Sequence, residues 1–351
     1  MKNSPEKILV IRASSIGDIL LATPLVRLLR QRFQKAQIDF VVKTQFADVL
    51  RSNPHIDNLY RLDTKNGRIG LKQIRKELCS NGYDLVVDIH NNFRSSYLRR
   101  QKGARIVTLR KYKFYRFLLV QFGWNIYRNI KPVYQRYIET VADYGIVDDN
   151  RGLEFFTDQD EQKQIDEMLR QRGFQGERLT ICMAPGASKE TKRWPVERFA
   201  NVAEQLIAKH NAQIILLGDN HDAELTEKIT ASLGDEVIDL AGHLDIMQAA
   251  CALSRADVAL TNDSGLMHLA TALGKPTVAV FGSTVRELGF FPVGENNIVV
   301  ENNSISCRPC THIGRHKCPK KHFKCMMDIS AAAVLDALEQ VNDNLCLDNN
   351  P

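Results

Sequence analysis

Residues 261–273 read TNDSGLMHLATAL. The apolar run Val258, Ala259, Leu260 just before them predicts a buried strand. Asn262, Asp263, Ser264 and Gly265 make a turn of small and polar residues, and helical periodicity follows. A strand that feeds a helix through such a turn leaves backbone N–H groups free at the helix start, where the helix dipole adds positive charge. That is an anion site, suited to a phosphate or diphosphate. An ordinary strand–turn–helix with Asp263 as N-cap fits the same letters.

The same strand–turn–helix pattern recurs on both sides of this stretch. Lys7–Ile11 predicts a strand, Ala13 to Asp18 a small-residue turn, Ile19 to Phe33 a helix with Pro24 near its start, and Gln37 to Val42 the next strand. Further strands are expected at 84–89 and 105–109, with helices at 71–79 and 92–100. In the second half, strands at 179–184, 212–217, 236–240, 257–261 and 277–281 alternate with helices at 195–210, 222–232, 245–254 and 265–273. Such alternation predicts an α/β fold of two doubly wound parallel sheets, facing each other across a cleft. The expected domains are 1–172, 173–330 and a closing helix and tail, 331–351, with Ser330 as N-cap, packing back on the first domain. The acidic TDQDE at 157–161 predicts a helix cap rather than a metal site.

Composition narrows the class. The chain has 351 residues, 44% hydrophobic and 25% charged, which is ordinary for a globular protein. No run reaches the roughly 18 apolar residues a membrane span needs, and the first apolar run is too short for a signal peptide. The expectation is a cytoplasmic protein with peripheral membrane contact at most. The net charge of +6 is uneven: residues 89–138 hold 12 Lys or Arg and no Asp or Glu, leaving 35 basic and 41 acidic side chains elsewhere. Positive charge so localised points to a local anionic partner. The aromatic residues from Tyr112 to Tyr127 interleave with Lys111, Lys113, Arg116 and Arg128. That mixture suits phosphate contact with interfacial anchoring, and it also suits single-stranded nucleic acid.

Three further stretches carry chemistry. Asp18 follows the first strand, where open α/β sheets bind ligands, and can act as a general base or as a helix-start charge. The loop Pro185-Gly186-Ala187-Ser188 follows another strand and leads to Lys192, a hydroxyl and a cation able to cradle a diphosphate. Cys307, Cys310, Cys318 and Cys325 have the density of a structural zinc site, or are reduced thiols packing a loop. Walker A, G-x-G-x-x-G and H-E-x-x-H patterns are absent, which excludes the standard readings as P-loop hydrolase, dinucleotide enzyme or zinc protease.

Taken together, KILVIRASSIGDILLATPLVRLL at 7–29, DLVVDIHNNFRSS at 84–96, PGASKETKRWP at 185–195 and TNDSGLMHLATALGKPTVAVFGST at 261–284 resemble glycosyltransferase family 9, the lipopolysaccharide heptosyltransferases of GT-B architecture with two Rossmann-like domains. The resemblance implies inverting transfer of a heptose from an ADP-sugar to an anionic lipid-linked saccharide, at the inner face of the membrane and without a divalent cation. It places Asp18 as the base and Lys192 beside the donor diphosphate. Ser188, Asp263, Ser264, Gly265 and His268 fall at the donor site, and Arg94 on the acceptor side. Lys113 and Arg116 of the basic segment are assigned to the acceptor as well. Asp219 and Asp222 are both candidates for the donor ribose. Two other readings stay in view: a nucleic-acid-binding protein with a zinc module, and a sugar-nucleotide epimerase of the same architecture.

Overall fold

The computed structural model describes residues 4–341. The chain divides into two compact units, Met1–Lys111 with Lys131–Phe156, and Tyr112–Ile130 with Thr157–Pro351.

The first unit is built on β1 (Lys7–Ile11), β2 (Gln37–Lys43), β3 (Asn58–Leu62), β4 (Leu85–Asp88) and β5 (Arg105–Thr108), all parallel in the order β3-β2-β1-β4-β5. Ile8 to Ile11 are fully buried, because helices cover both faces of the sheet and leave β1 no polar side. The chain runs outward from β1 and then returns to place β4 beside it. The carboxyl ends of β1 and β4 therefore form the switch point where such sheets hold ligands.

The second unit carries β6 (Thr180–Ala184), β7 (Gln213–Leu216), β8 (Val237–Asp239), β9 (Val258–Asn262), β10 (Thr277–Phe281) and β11 (Asn297–Glu301), parallel in the order β11-β10-β9-β6-β7-β8. Its switch point lies between β6 and β9, at the PGAS loop and the TNDSG turn.

Several expectations need correction. The first helix is two helices, Ile16–Leu20 and Thr23–Arg32. Pro24 has no N–H to give to the Leu20 carbonyl, which accepts from Thr23 Oγ1 at 2.8 Å instead. The edge strands β3 and β11 were not expected; their residues are mostly half-exposed and lack a continuous apolar run. The boundary falls at 156/157, not 172. Helix Gln159–Gln171 is capped by Asp158, as TDQDE predicts, but its partners are in the second unit: Gln162 donates to the Cys251 carbonyl and Asp166 pairs with Arg255 at 2.5 Å. The closing helix Ala331–Val341, expected on the first domain, buries Val334 and Leu338 in the second core with Phe199, Leu206, Val278 and Val280; the tail, 342–351, lies outside the described residues. The helix cap is as expected, with Ala333 N donating to Ser330 Oγ.

Candidate active site

In the first unit, Asp18 sits in the first turn of helix Ile16–Leu20, just beyond β1. Its Oδ2 accepts from the N–H and hydroxyl of Ser15, each at 3.2 Å, so it is a helix-start charge in fact. Its Oδ1 faces Arg12 Nη2 at 2.6 Å and accepts from the Tyr137 hydroxyl at 3.3 Å. Arg12 is itself held by Nη1 donating to the Ile89 carbonyl and by its stack on the Tyr137 ring, 5.5 Å from the centroid. Burial alone would push the Asp18 carboxyl up; the charge and hydrogen bond of Arg12, with Ser15, outweigh it and hold the carboxyl below its ordinary value. Burial keeps Tyr137 protonated and a donor.

The neighbouring strand end adds a second pair. Asp88 is fully buried and accepts from the backbone of His90 and Asn91, from Ser95 Oγ and from Arg99. His90 is driven down to about 4 by burial first and by Arg12 and Lys111 next, so its ring is neutral near pH 7. Arg12, Tyr137, Asp88 and His90 were not singled out from the sequence. Arg12 and Asp88 had a signal, a charge closing an apolar strand; Tyr137, 119 residues from Asp18, had none.

In the second unit, Lys192 Nζ pairs with Asp263 Oδ2 at 2.7 Å, and Thr284 Oγ1 donates to the same oxygen at 2.6 Å. Asp263 therefore does not cap the helix Gly265–Ala272. Ser264 occupies the N-cap position, and its hydroxyl is buried with no hydrogen-bond partner. A lysine ammonium in contact outcompetes the partial charge of a helix end. Asn262 ties the two loops together: its Oδ1 accepts from Trp194 N and its Nδ2 donates to the Pro185 carbonyl. His268 is buried one turn into the helix, and Ser188 is exposed in the loop.

Gly186 and Gly218 both face Asp222. A Cβ on Gly186 would lie 2.0 Å from Asp222 Oδ2, and one on Gly218 2.8 Å from Asp222 Cβ. Asp222 accepts from Asp219 N, lies 3.5 Å from Arg193, and is pushed up by burial and by Asp219. Of the two ribose candidates, Asp222 is thus occupied and 8% exposed, while Asp219 faces solvent.

The cysteine loop rests on the Lys192 turn. Thr191 N donates to the Arg315 carbonyl and Arg315 N donates to Thr191 Oγ1, at 3.1 and 2.8 Å. Gly314, at φ +89°, passes 2.7 Å from Lys189 measured from where its Cβ would be. Cys307, Cys310, Cys318 and Cys325 line one small pocket with His322, and none is in a disulfide. The donor set is one zinc accepts. Among the described residues, however, no group of three or more His, Cys, Asp or Glu is arranged to hold a metal ion.

The residues expected to share the acceptor side are divided between the units. Arg94 is exposed on helix Phe93–Leu98 of the first, and Lys113 and Arg116 lie on helix Lys113–Phe122 of the second.

Two doubly wound parallel sheets in one chain match the two-Rossmann plan of GT-B architecture expected above. A profile of glycosyltransferase family 9 (heptosyltransferase) matches residues 71–321, and the chain belongs to that family. It is 31% identical to lipooligosaccharide heptosyltransferase 2 of Haemophilus ducreyi over 79% of this chain and 84% of that protein. With lipopolysaccharide heptosyltransferase 2 of Escherichia coli it shares 29% over 79% of this chain and 82% of that protein. Among solved structures, the Escherichia coli ADP-heptose heptosyltransferase II superposes with a TM-score of 0.73 at 26% identity, covering 98% of this chain and 100% of that one. The family 9 transferase of Veillonella parvula gives 0.81 at 24% identity, covering 97% and 98%, a likeness of fold.

Proposed function

We propose that the protein transfers a heptose from an ADP-sugar to the saccharide core of a lipopolysaccharide, with inversion, without a divalent cation, at the cytoplasmic face of the inner membrane. The observation that carries this reading is Asp18 in the helix after β1 and Lys192 paired with Asp263 just past β9, each next to a sheet's switch point, in a chain whose relatives are named heptosyltransferases.

The ionised Asp18 takes the proton of an acceptor hydroxyl, whose oxygen forms the new bond to the anomeric carbon. The bond from that carbon to the diphosphate oxygen breaks, and the electron pair leaves with the nucleoside diphosphate. Lys192 and the free N–H groups at the start of helix Gly265–Ala272 meet the charge that develops there, as a divalent cation does elsewhere. Asp219 takes the ribose.

A screen of ADP-, UDP-, GDP- and dTDP-sugars against a lipid A core extract tests the reading. Product with ADP-heptose alone supports it. Turnover of a nucleotide sugar without acceptor would replace it with an epimerase, and oligonucleotide binding that survives Asp18→Asn and Lys192→Gln with a nucleic-acid-binding protein. Structural zinc in the thiol loop is a separate part of the proposal. One equivalent of zinc by metal analysis, lost in Cys307→Ser, supports it; metal-free protein of unchanged Tm leaves the thiols as loop packing.

A further inference from the structure

Helix Lys113–Phe122 and the stretch after it hold Phe114, Phe117, Phe122 and Trp124 between 53% and 65% exposed, with Ile126 and Ile130 also open to solvent. The rings of Phe117 and Phe122 meet edge to face at 5.9 Å and those of Phe122 and Trp124 at 5.3 Å, so the apolar surface is continuous. Exposed clusters of this kind mark interaction sites. Lys113, Arg116 and Arg128 flank them, and the segment has no acid. A second loop of the same unit has the same chemistry. From Asn302 to Met327 there are six Lys or Arg and no Asp or Glu, and Ile313 is 54% exposed.

We propose that this aromatic and basic surface of the second unit docks the protein onto a bilayer that carries anionic lipid. The rings enter the acyl boundary and the cations meet lipid phosphates, the division of labour of interfacial segments. Among the described residues no helix is long and apolar enough to cross a membrane, so this contact is superficial. Single-stranded nucleic acid also takes aromatics and cations, but it stacks on ring faces. Here Phe117 and Phe122 pack edge to face, and the isoleucines offer apolar bulk that bases do not use. The inference deepens the membrane-peripheral part of the function proposed above. Lipid binding is measured with no sugar donor present, so the two can fail separately.

The protein carries its own reporter. It has two tryptophans, and Trp194 is 2% exposed with its indole N–H on the Ile329 carbonyl, which leaves Trp124 as the one that lipid can reach. The full chain is mixed with vesicles of phosphatidylcholine alone or with phosphatidylglycerol, with and without brominated acyl chains. The expected result is a blue shift and bromine quenching with phosphatidylglycerol vesicles only, weakened by salt and absent in Trp124→Phe. The triple variant Phe114→Ser, Phe117→Ser, Phe122→Ser should partition at least roughly tenfold less, while transfer to a delipidated core saccharide is unchanged. Absence of quenching with phosphatidylglycerol vesicles overturns the proposal. So does equal partition of a folded triple variant, or a shift with single-stranded oligonucleotide but not with vesicles. Should that variant fail to fold, the Trp124→Phe comparison decides.

Discussion

At the scale of the residue, Asp18, the base proposed above, is held by a guanidinium at 2.6 Å and a phenol at 3.3 Å. Asp18→Asn should cost about 10²–10⁴-fold in kcat, the usual worth of a positioned base, and should also lower Tm because Arg12 loses its buried counter-charge; near-normal transfer by the folded variant would remove Asp18 from that role. Arg12 sets where the Asp18 carboxyl titrates. The Asp18 carboxyl lies below its ordinary 3.8, so the base stays ionised until the pH falls through that lowered value. In Arg12→Gln burial remains and the opposing charge is gone, so the acid limb of kcat/KM should move to higher pH. An unmoved limb would separate the two residues. His90 gives a second pH dependence, in stability. Between about 6.5 and about 4 the unfolded chain takes a proton on this imidazole and the folded chain does not. Stability therefore falls as pH drops through that window, and Tm measured against pH should flatten in His90→Gln. Asp18 was legible because a carboxylate stood just past a strand. Tyr137 was not, since only folding brings it across 119 residues.

Among the elements, the cysteine loop shows what a sequence pattern can hide. Its density of thiols was plain. Its grip on the Lys192 turn runs through main-chain groups and one hydroxyl, which no spacing announces. Thr191→Val leaves Arg315 N without its acceptor and Ser283 Oγ without its partner, a change worth about 1–3 kcal/mol. It should raise the donor KM more than it lowers kcat, and an unchanged KM would show that the turn holds without the loop. The loop before it has no such slack. Gly186→Ala puts a methyl 2.0 Å from a carboxylate oxygen and should lower Tm, and adding Asp222→Ala should recover part of the loss. The closing helix is tested by Leu338→Ala, about 2–5 kcal/mol from a fully buried site in the second core. The central strands were legible as apolar runs, while β3 and β11, half-exposed at the sheet edges, gave no such signal.

For the whole molecule, the doubly wound plan was readable because buried parallel strands need unbroken apolar runs, and those alternate with helical periods along the chain. The allocation of segments was not, since it depends on which core a helix finally packs against. Helix Gln159–Gln171 follows the first unit in sequence and joins the second through Gln162 and Asp166. The charge arrangement carries a prediction of its own. If Lys192 and a helix start meet the diphosphate as proposed, transfer persists in excess EDTA, and strict Mg²⁺ dependence would require a different donor site.

The segment Tyr112–Ile130 also sets a problem in time. It leaves the ribosome ahead of nearly all of the unit it joins, and its hydrogen-bond partner for Asn125, Glu287, is 162 residues further on. At about 5–20 residues per second the wait is on the order of ten to thirty seconds. For that interval the stretch carrying the exposed phenylalanines and Trp124 lacks this tether, and the rings stay open to solvent before and after it forms. A nascent chain built this way is a natural client for a ribosome-bound chaperone, or for the membrane itself.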